Sequence, residues 1–152
     1  MPSFLEITSY IFFCNSCALG IFFEFSDYKR WIEKTKEFAD VPSPIIPSLI
    51  LLGQGLACLA VFVVLGSKFS LDFCWDKVFG ELPFYQRVGY YYVAMTVKRF
   101  FYYSPFMISN GAVVACGLSY NGKDKEGNDK WDKIVSVYIM GVETADSCMT
   151  ML

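Results

Sequence analysis

No histidine stands anywhere in this 152-residue chain. That removes the side chain most often used as a general base near neutral pH, and the commonest nitrogen ligand for zinc. Charge is scarce too, at 18% of residues with a net of -2. Lys and Arg alternate with Asp and Glu wherever they gather, so no basic patch points to nucleic acid as a partner. Neither a G-x-x-x-x-G-K phosphate loop nor a G-x-S-x-G nucleophile elbow occurs. Of the six cysteines, Cys14, Cys17, Cys58 and Cys116 sit inside apolar runs, where a thiol packs as a small hydrophobe. Cys14 and Cys17 form a lone C-x-x-C with no second pair to complete a metal site. The carboxylate pairs Asp72 with Asp76 and Asp129 with Asp132 fall in charged loops and read as solvated faces. No catalytic residue and no metal ligand can be assigned on these grounds.

What the chain has in abundance is apolar surface: 55% hydrophobic and 18% aromatic residues, with a mean hydropathy of +0.38. That exceeds what an ordinary soluble domain carries. The surplus is organised in runs. Phe100 to Gly122 carries no charge and then meets the abrupt segment KDKEGNDKWD, which has the form of a membrane exit after the roughly 20 apolar residues a crossing helix needs. Phe4 to Phe23 is interrupted only by Glu6 and lacks the basic start and cleavage site of a secretory signal. A buried core helix would show the same pattern, but its recurrence twice downstream argues for a span. Ile45 to Leu65 is uncharged throughout, with Gly53 and Gly55 permitting close helix approach in lipid.

These runs predict an all-α, polytopic membrane domain over residues 1–152. Its spans lie near 4–23, 45–65 and 88–120, and its loops near 24–44, 66–87 and 121–133. Between the first two spans, Glu24 to Asp40 mixes charges at helical spacing with Tyr28, Trp31, Ile32 and Phe38. An interfacial amphipathic helix and a solvated linker helix fit that pattern equally. Three prolines between Val41 and Pro47 mark a loop. Lys68 to Arg87 reads as a loop with a short helix, and Trp75 and Phe84 as interfacial anchors. The third region admits two readings. In one, Lys98 and Arg99 mark an interface before a single span; in the other, Arg87 to Tyr103 is a helix and Pro105 opens the next. Pro105 favours the second, because proline suits the first turn of a helix and not its middle. Three to four membrane helices follow. The loops 24–44 and 123–133 carry four Lys or Arg each against three in 68–87, too small a bias to orient the chain.

The loop after Gly117 combines turn formers, Asn121-Gly122 and Glu126-Gly127-Asn128, with Trp131 flanked by Lys130 and Asp132. On its chemistry it is a structured exit loop whose tryptophan docks back. Here the chain resembles the membrane-bound O-acyltransferases, in their lysophospholipid acyltransferase branch. The resemblance rests on Asn110-Gly111, Gly117-Leu118, Asn121-Gly122, Lys125-Glu126-Gly127 and Lys130-Trp131-Asp132. Pro2-Ser3-Phe4-Leu5-Glu6, Phe25-Ser26-Asp27-Tyr28 and Ile45-Ile46-Pro47 extend it over essentially the whole chain.

That resemblance implies a many-helix, multi-pass fold of the endoplasmic reticulum. Such enzymes move an acyl group from acyl-CoA, their co-substrate, to the free hydroxyl of a lysophospholipid, with no bound cofactor. It also implies a histidine base in a late helix and an asparagine upstream of it. Gly141-Val142-Glu143-Thr144 is similar to the lead-in to that asparagine motif, but neither residue can be placed here. The expectation is therefore an internal portion of an acyltransferase, inactive alone, with lipid bilayer, lysophospholipid and acyl-CoA as partners of the whole enzyme. The alternative is a non-enzymatic small membrane protein that packs with a membrane-protein partner.

Overall fold

The computed structural model describes residues 2–13 and 21–144, and among them the regular structure is helical with no strand. Helix α1 spans Phe4–Ile11 and starts with a capping box. The Ser3 amide donates to Glu6 Oε2 at 2.6 Å, and the Glu6 amide to Ser3 Oγ at 3.3 Å. This helix stops at Ile11, with Phe12 as its C-cap, and Ile21 to Glu24 are not helical. The apolar segment 4–23 is thus not one continuous spanning helix. An apolar run can be covered by protein as readily as by lipid: Ile21 and Phe23 are both buried, and Tyr10, Phe13, Phe23, Phe25, Tyr28 and Trp31 pack edge-on into an aromatic cluster. Cys14 and Cys17 lie outside the described residues.

Helix α2, Phe25–Ile32, is shorter than the charge pattern predicts. Lys34 and Lys36 adopt φ of 49° and 56°, a left-handed backbone that ends any α-helix, and a 3-10 turn follows at Lys36–Ala39. Helix α3, Ile45–Gly66, coincides with the second apolar run. Pro47 falls inside it, in the first turn, where backbone N–H groups have no intrahelical acceptor and proline costs little. Among the described residues one segment, which contains α3, is long and uniformly apolar enough to cross a membrane as a helix by length and composition, and just 11% of its most apolar window is buried. A 3-10 turn at Leu71–Trp75 and the short α4, Lys77–Glu81, form the next connection.

Helix α5 runs unbroken from Phe84 to Ala115, 32 residues, with Pro105 inside. No new helix opens at Pro105, so the reading that Arg87 to Tyr103 ends a separate helix is wrong. An interior proline loses one hydrogen bond and costs about 3 kcal/mol in isolation, but α5 is clamped along α3 on both sides of it. A Cβ built on Gly55 would lie 3.1 Å from the Ser104 carbonyl, and one on Gly111 3.2 Å from the Ser48 carbonyl. Phe62 and Phe101 stack at 4.9 Å. These pairs run in opposite directions, so α3 and α5 are antiparallel. Gly53, expected to help this approach, faces open space; the contact belongs to Gly55 and Gly111.

This register also fixes the depth of the cations. Lys98 Nζ lies 5.7 Å from the Phe62 ring centre and 5.0 Å from that of Phe101, about one turn from the α3 C-terminus. Lys98 and Arg99 stand near the end of the helix pair rather than at its middle. The first turns of α5 project past α3, where Tyr90 donates to the Ser70 carbonyl at 2.9 Å and packs on Phe73.

After α5, Gly117 takes φ +77°. Its amide donates to Val114 at 2.8 Å and that of Leu118 to Val113 at 3.3 Å, a Schellman stop. The loop closes as a narrow hairpin, with Asn121 N to Lys130 O and Lys130 N to Gly122 O both at 2.9 Å. Trp131 docks on Tyr120 with ring centres 5.2 Å apart. Leu118, Tyr120 and Ile134 join Ile21, Phe23, Tyr28, Phe38 and Val113 in the main core. Helix α6, Ile139–Thr144, ends the described chain.

Candidate functional site

Residues 134–144 run back along α5 as a strap held at three levels. At the first, the fully buried Ser119 hydroxyl lies 3.1 Å from the Trp131 carbonyl and 3.0 Å from that of Ile134, and accepts from the Ile134 amide at 3.3 Å. At the second, Asn110 Oδ1 accepts from the Ser136 amide at 3.0 Å. At the third, Glu143 accepts from Arg99 at 2.9 Å and from the Tyr103 hydroxyl at 2.7 Å, while Arg99 also reaches Thr96. Charge-assisted bonds of this kind are short and directional.

Between the strap, α3 and α5 lies a cavity of about 600 Å³, a size that suits a small-molecule or lipid ligand. Leu51, Cys58, Met107, Val114, Val137 and Tyr138 give it apolar walls. Gln54 and Asn110 place two uncharged amides on those walls, and Trp131 and Asp132 lie at the end where the exit loop meets the strap. A polar side chain amid an apolar helix is costly in lipid and marks function more often than packing. The arrangement is a largely apolar groove, open past the exposed Gln54, Val135, Tyr138 and Met140, with two amides able to hydrogen-bond to a few oxygens of a bound molecule.

The sequence motifs distribute unevenly around this chamber. Asn110, Trp131 and Asp132 meet at it, and Glu143 pins the far end of the strap. Asn121-Gly122 and Lys125-Glu126-Gly127 shape the hairpin. Asp72 accepts from Ser70 at 3.0 Å and Asp132 from Asn121 at 2.9 Å, both in exposed loop positions. Gln54 went unnoticed in the sequence, although a lone amide inside an uncharged run was the available signal. Among the described residues no group of three His, Cys, Asp or Glu could hold a metal.

Lys133 ties the strap's origin to the first module. Its ammonium is 3.2 Å from Asp27 Oδ1, bonds closely to Glu37, and lies 4.6 Å from the Phe38 ring centre. The Lys133 hydrogen bond holds the Glu37 carboxyl below its ordinary pKa.

The family model of the membrane-bound O-acyltransferases matches residues 1–152. The chain is 32% identical to lysophospholipid acyltransferase 2 of Arabidopsis thaliana over 98% of its own length and 34% of that protein. It is 30% identical to the lysophospholipid acyltransferase of Schizosaccharomyces pombe, covering 97% of this chain and 30% of the relative. Against human membrane-bound glycerophospholipid O-acyltransferase 1 the identity is 31%, over 96% and 33%. The chain spans about a third of the length of the curated relatives it matches. With this whole-length match and an all-helical architecture built on an apolar helix pair, the chain belongs to the membrane-bound O-acyltransferase family.

Proposed function

We propose that this chain forms one wall of the substrate chamber of a lysophospholipid acyltransferase, which moves an acyl group from acyl-CoA to a lysophospholipid during membrane phospholipid remodelling. The apolar, amide-bearing cavity between α3, α5 and the strap carries this reading. In the reaction, the acceptor hydroxyl oxygen attacks the thioester carbonyl, the carbon–sulfur bond breaks, and the CoA thiol leaves with the proton returned to it. The chamber excludes water, and so protects the thioester from hydrolysis, once further parts of the enzyme cover the open side of this groove. No histidine of this chain can take the acceptor proton, so the base is supplied from outside these residues and the chain alone does not turn over. Residues 1–152 act as one partial membrane domain of a multi-pass enzyme in the endoplasmic reticulum, with α5 between Lys98 and Ala115 as a second crossing antiparallel to α3. The outward face of α3, with Ile46, Leu49, Val63 and Val64 exposed, is covered by lipid or by further helices of the enzyme.

A segment swap tests this. Residues 1–152 replace the matched third of the Arabidopsis relative, and acyl transfer from oleoyl-CoA to lysophosphatidylcholine is measured in microsomes. Transfer above the empty-vector background is expected. A chimera that accumulates at normal level in the membrane yet transfers nothing would overturn the reading. The 152-residue chain assayed alone should give background only, and turnover there would refute its dependence on an external base.

A further inference from the structure

Two amides share a cavity whose other walls are almost wholly apolar, and their hydrogen-bonding states differ. Asn110 is 4% exposed, and its Oδ1 is occupied by the Ser136 amide. With the oxygen so engaged, its Nδ2 is left as a donor on the cavity wall. Gln54 has no hydrogen bond to any described residue and faces the same cavity, so it offers both a donor and an acceptor. The α3–α5 register puts Gly55 opposite Ser104 and Ile108, and Gly111 opposite Ser48 and Leu52. Asn110 and Gln54 therefore stand about one helical turn apart along the pair, roughly 5 Å. Both are uncharged, and both lie well inside the ends marked by Lys98 at one side and Lys133 at the other.

We infer that Gln54 and Asn110 form a polar station that reads the glycerol backbone of a single-chain glycerolipid. Asn110 Nδ2 donates to the ester carbonyl, and Gln54 bonds the neighbouring free hydroxyl. This inference rests on the chamber reading above and adds which atoms of the acceptor lipid are recognised, and by which residues. The chemistry follows from the inventory. A donor without an acceptor partner calls for a carbonyl oxygen, and an amide with both functions free matches a hydroxyl, which also donates and accepts. A charged headgroup has no counter-ion at this level and stays toward an end of the helix pair. A lipid without the hydroxyl forgoes the Gln54 hydrogen bond, and because Gln54 is exposed in this structure the discrimination is of the size of one such bond.

The test uses the 152-residue chain in nanodiscs carrying Trp31→Phe and Trp75→Phe, so that Trp131 on the chamber wall is the remaining tryptophan. Its fluorescence is quenched by 1-acyl-glycerophosphocholine with a brominated chain, and separately by the 2-deoxy analogue. Gln54→Leu should weaken binding of the hydroxyl lipid about three- to tenfold, the range expected for one lost hydrogen bond, and leave the deoxy analogue within twofold. Asn110→Leu should weaken both lipids, since both keep the ester carbonyl. Because Asn110 also holds the strap, Gln54→Leu, which removes no internal hydrogen bond, carries the decision. Two results would overturn the station while leaving the chamber reading intact: binding of both lipids unaffected by Gln54→Leu, or equal loss of both. Absence of quenching by either lipid in the unsubstituted background would overturn the station and the chamber reading together.

Discussion

A methyl group added at Gly55 would sit 2.7 Å from Ile108 Cγ1 and 3.1 Å from both the Ile108 amide nitrogen and the Ser104 carbonyl oxygen. The first contact could be relieved by a rotamer change, but the other two are backbone and can be relieved only by moving α3 away from α5. Overpacking of that kind costs about 1–3 kcal/mol. Gly55→Ala should therefore lower the thermal midpoint of the detergent-solubilised chain and weaken lipid binding in the chamber. Gly53→Ala, two residues away, meets nothing within 4 Å and should be neutral or stabilising by up to about 1 kcal/mol through helix propensity. Paired melting curves check both, and equal midpoints for the two variants would contradict the assignment of the helix crossing to Gly55.

At the scale of elements, how much could be foreseen depended on what each signal measures. Helix α3 was legible because an uncharged run of that length has few other uses, and the exit hairpin was legible because Asn121-Gly122 and the glycines at 117 and 127 encode their own turns. Helix α5 was misjudged as two pieces. Pro105 reports a local preference, whereas the continuity of α5 comes from close contacts with α3, far away in sequence. The first apolar run was misjudged because hydropathy records the need for cover without saying whether lipid or aromatic side chains provide it. The course of the strap had no signature in composition or periodicity, although Asn110 and Glu143 fall in motifs, since its three fastenings are single side chains, Ser119, Asn110 and Glu143, that become anchors only once α5 is placed. Removing one should act locally. Ser119→Ala leaves the buried Ile134 amide without its acceptor, a loss of about 1–3 kcal/mol. Hydrogen exchange should then accelerate across residues 131–137 while α3 remains protected, and uniform acceleration throughout would show that the strap is not a separable element. Glu143→Gln should loosen only the far end, by less than about 1 kcal/mol, because Arg99 and Glu143 are each about a third exposed.

For the molecule as a whole, one charged cluster joins the N-terminal aromatic module to the chamber. Lys133 comes from the segment that begins the strap, Asp27 from α2 and Glu37 from the following 3-10 turn; Arg30 also faces Asp27 at 3.1 Å. The side chains of Lys133, Asp27 and Glu37 are 13%, 17% and 23% exposed, so solvent screens them less than a surface pair. Glu37 has its folded pKa below the ordinary glutamate value of about 4.3, chiefly through the Lys133 hydrogen bond. The folded state therefore binds this proton less readily than the unfolded state does. Its stabilising contribution is fully present above about pH 4.3 and is lost as pH falls through the lower folded value. Near-ultraviolet circular dichroism, to which the Phe13, Phe23, Tyr28 and Trp31 cluster contributes, should hold constant from neutral pH to about pH 4.3 and decline below it. Lys133→Met should weaken the docking of the module at neutral pH, because it leaves Asp27 and Glu37 facing each other with Arg30 as the nearby cation, and it should flatten the acid transition. The same acid transition in the Lys133→Met variant and the unsubstituted chain would show that the two halves are held together by the apolar core alone.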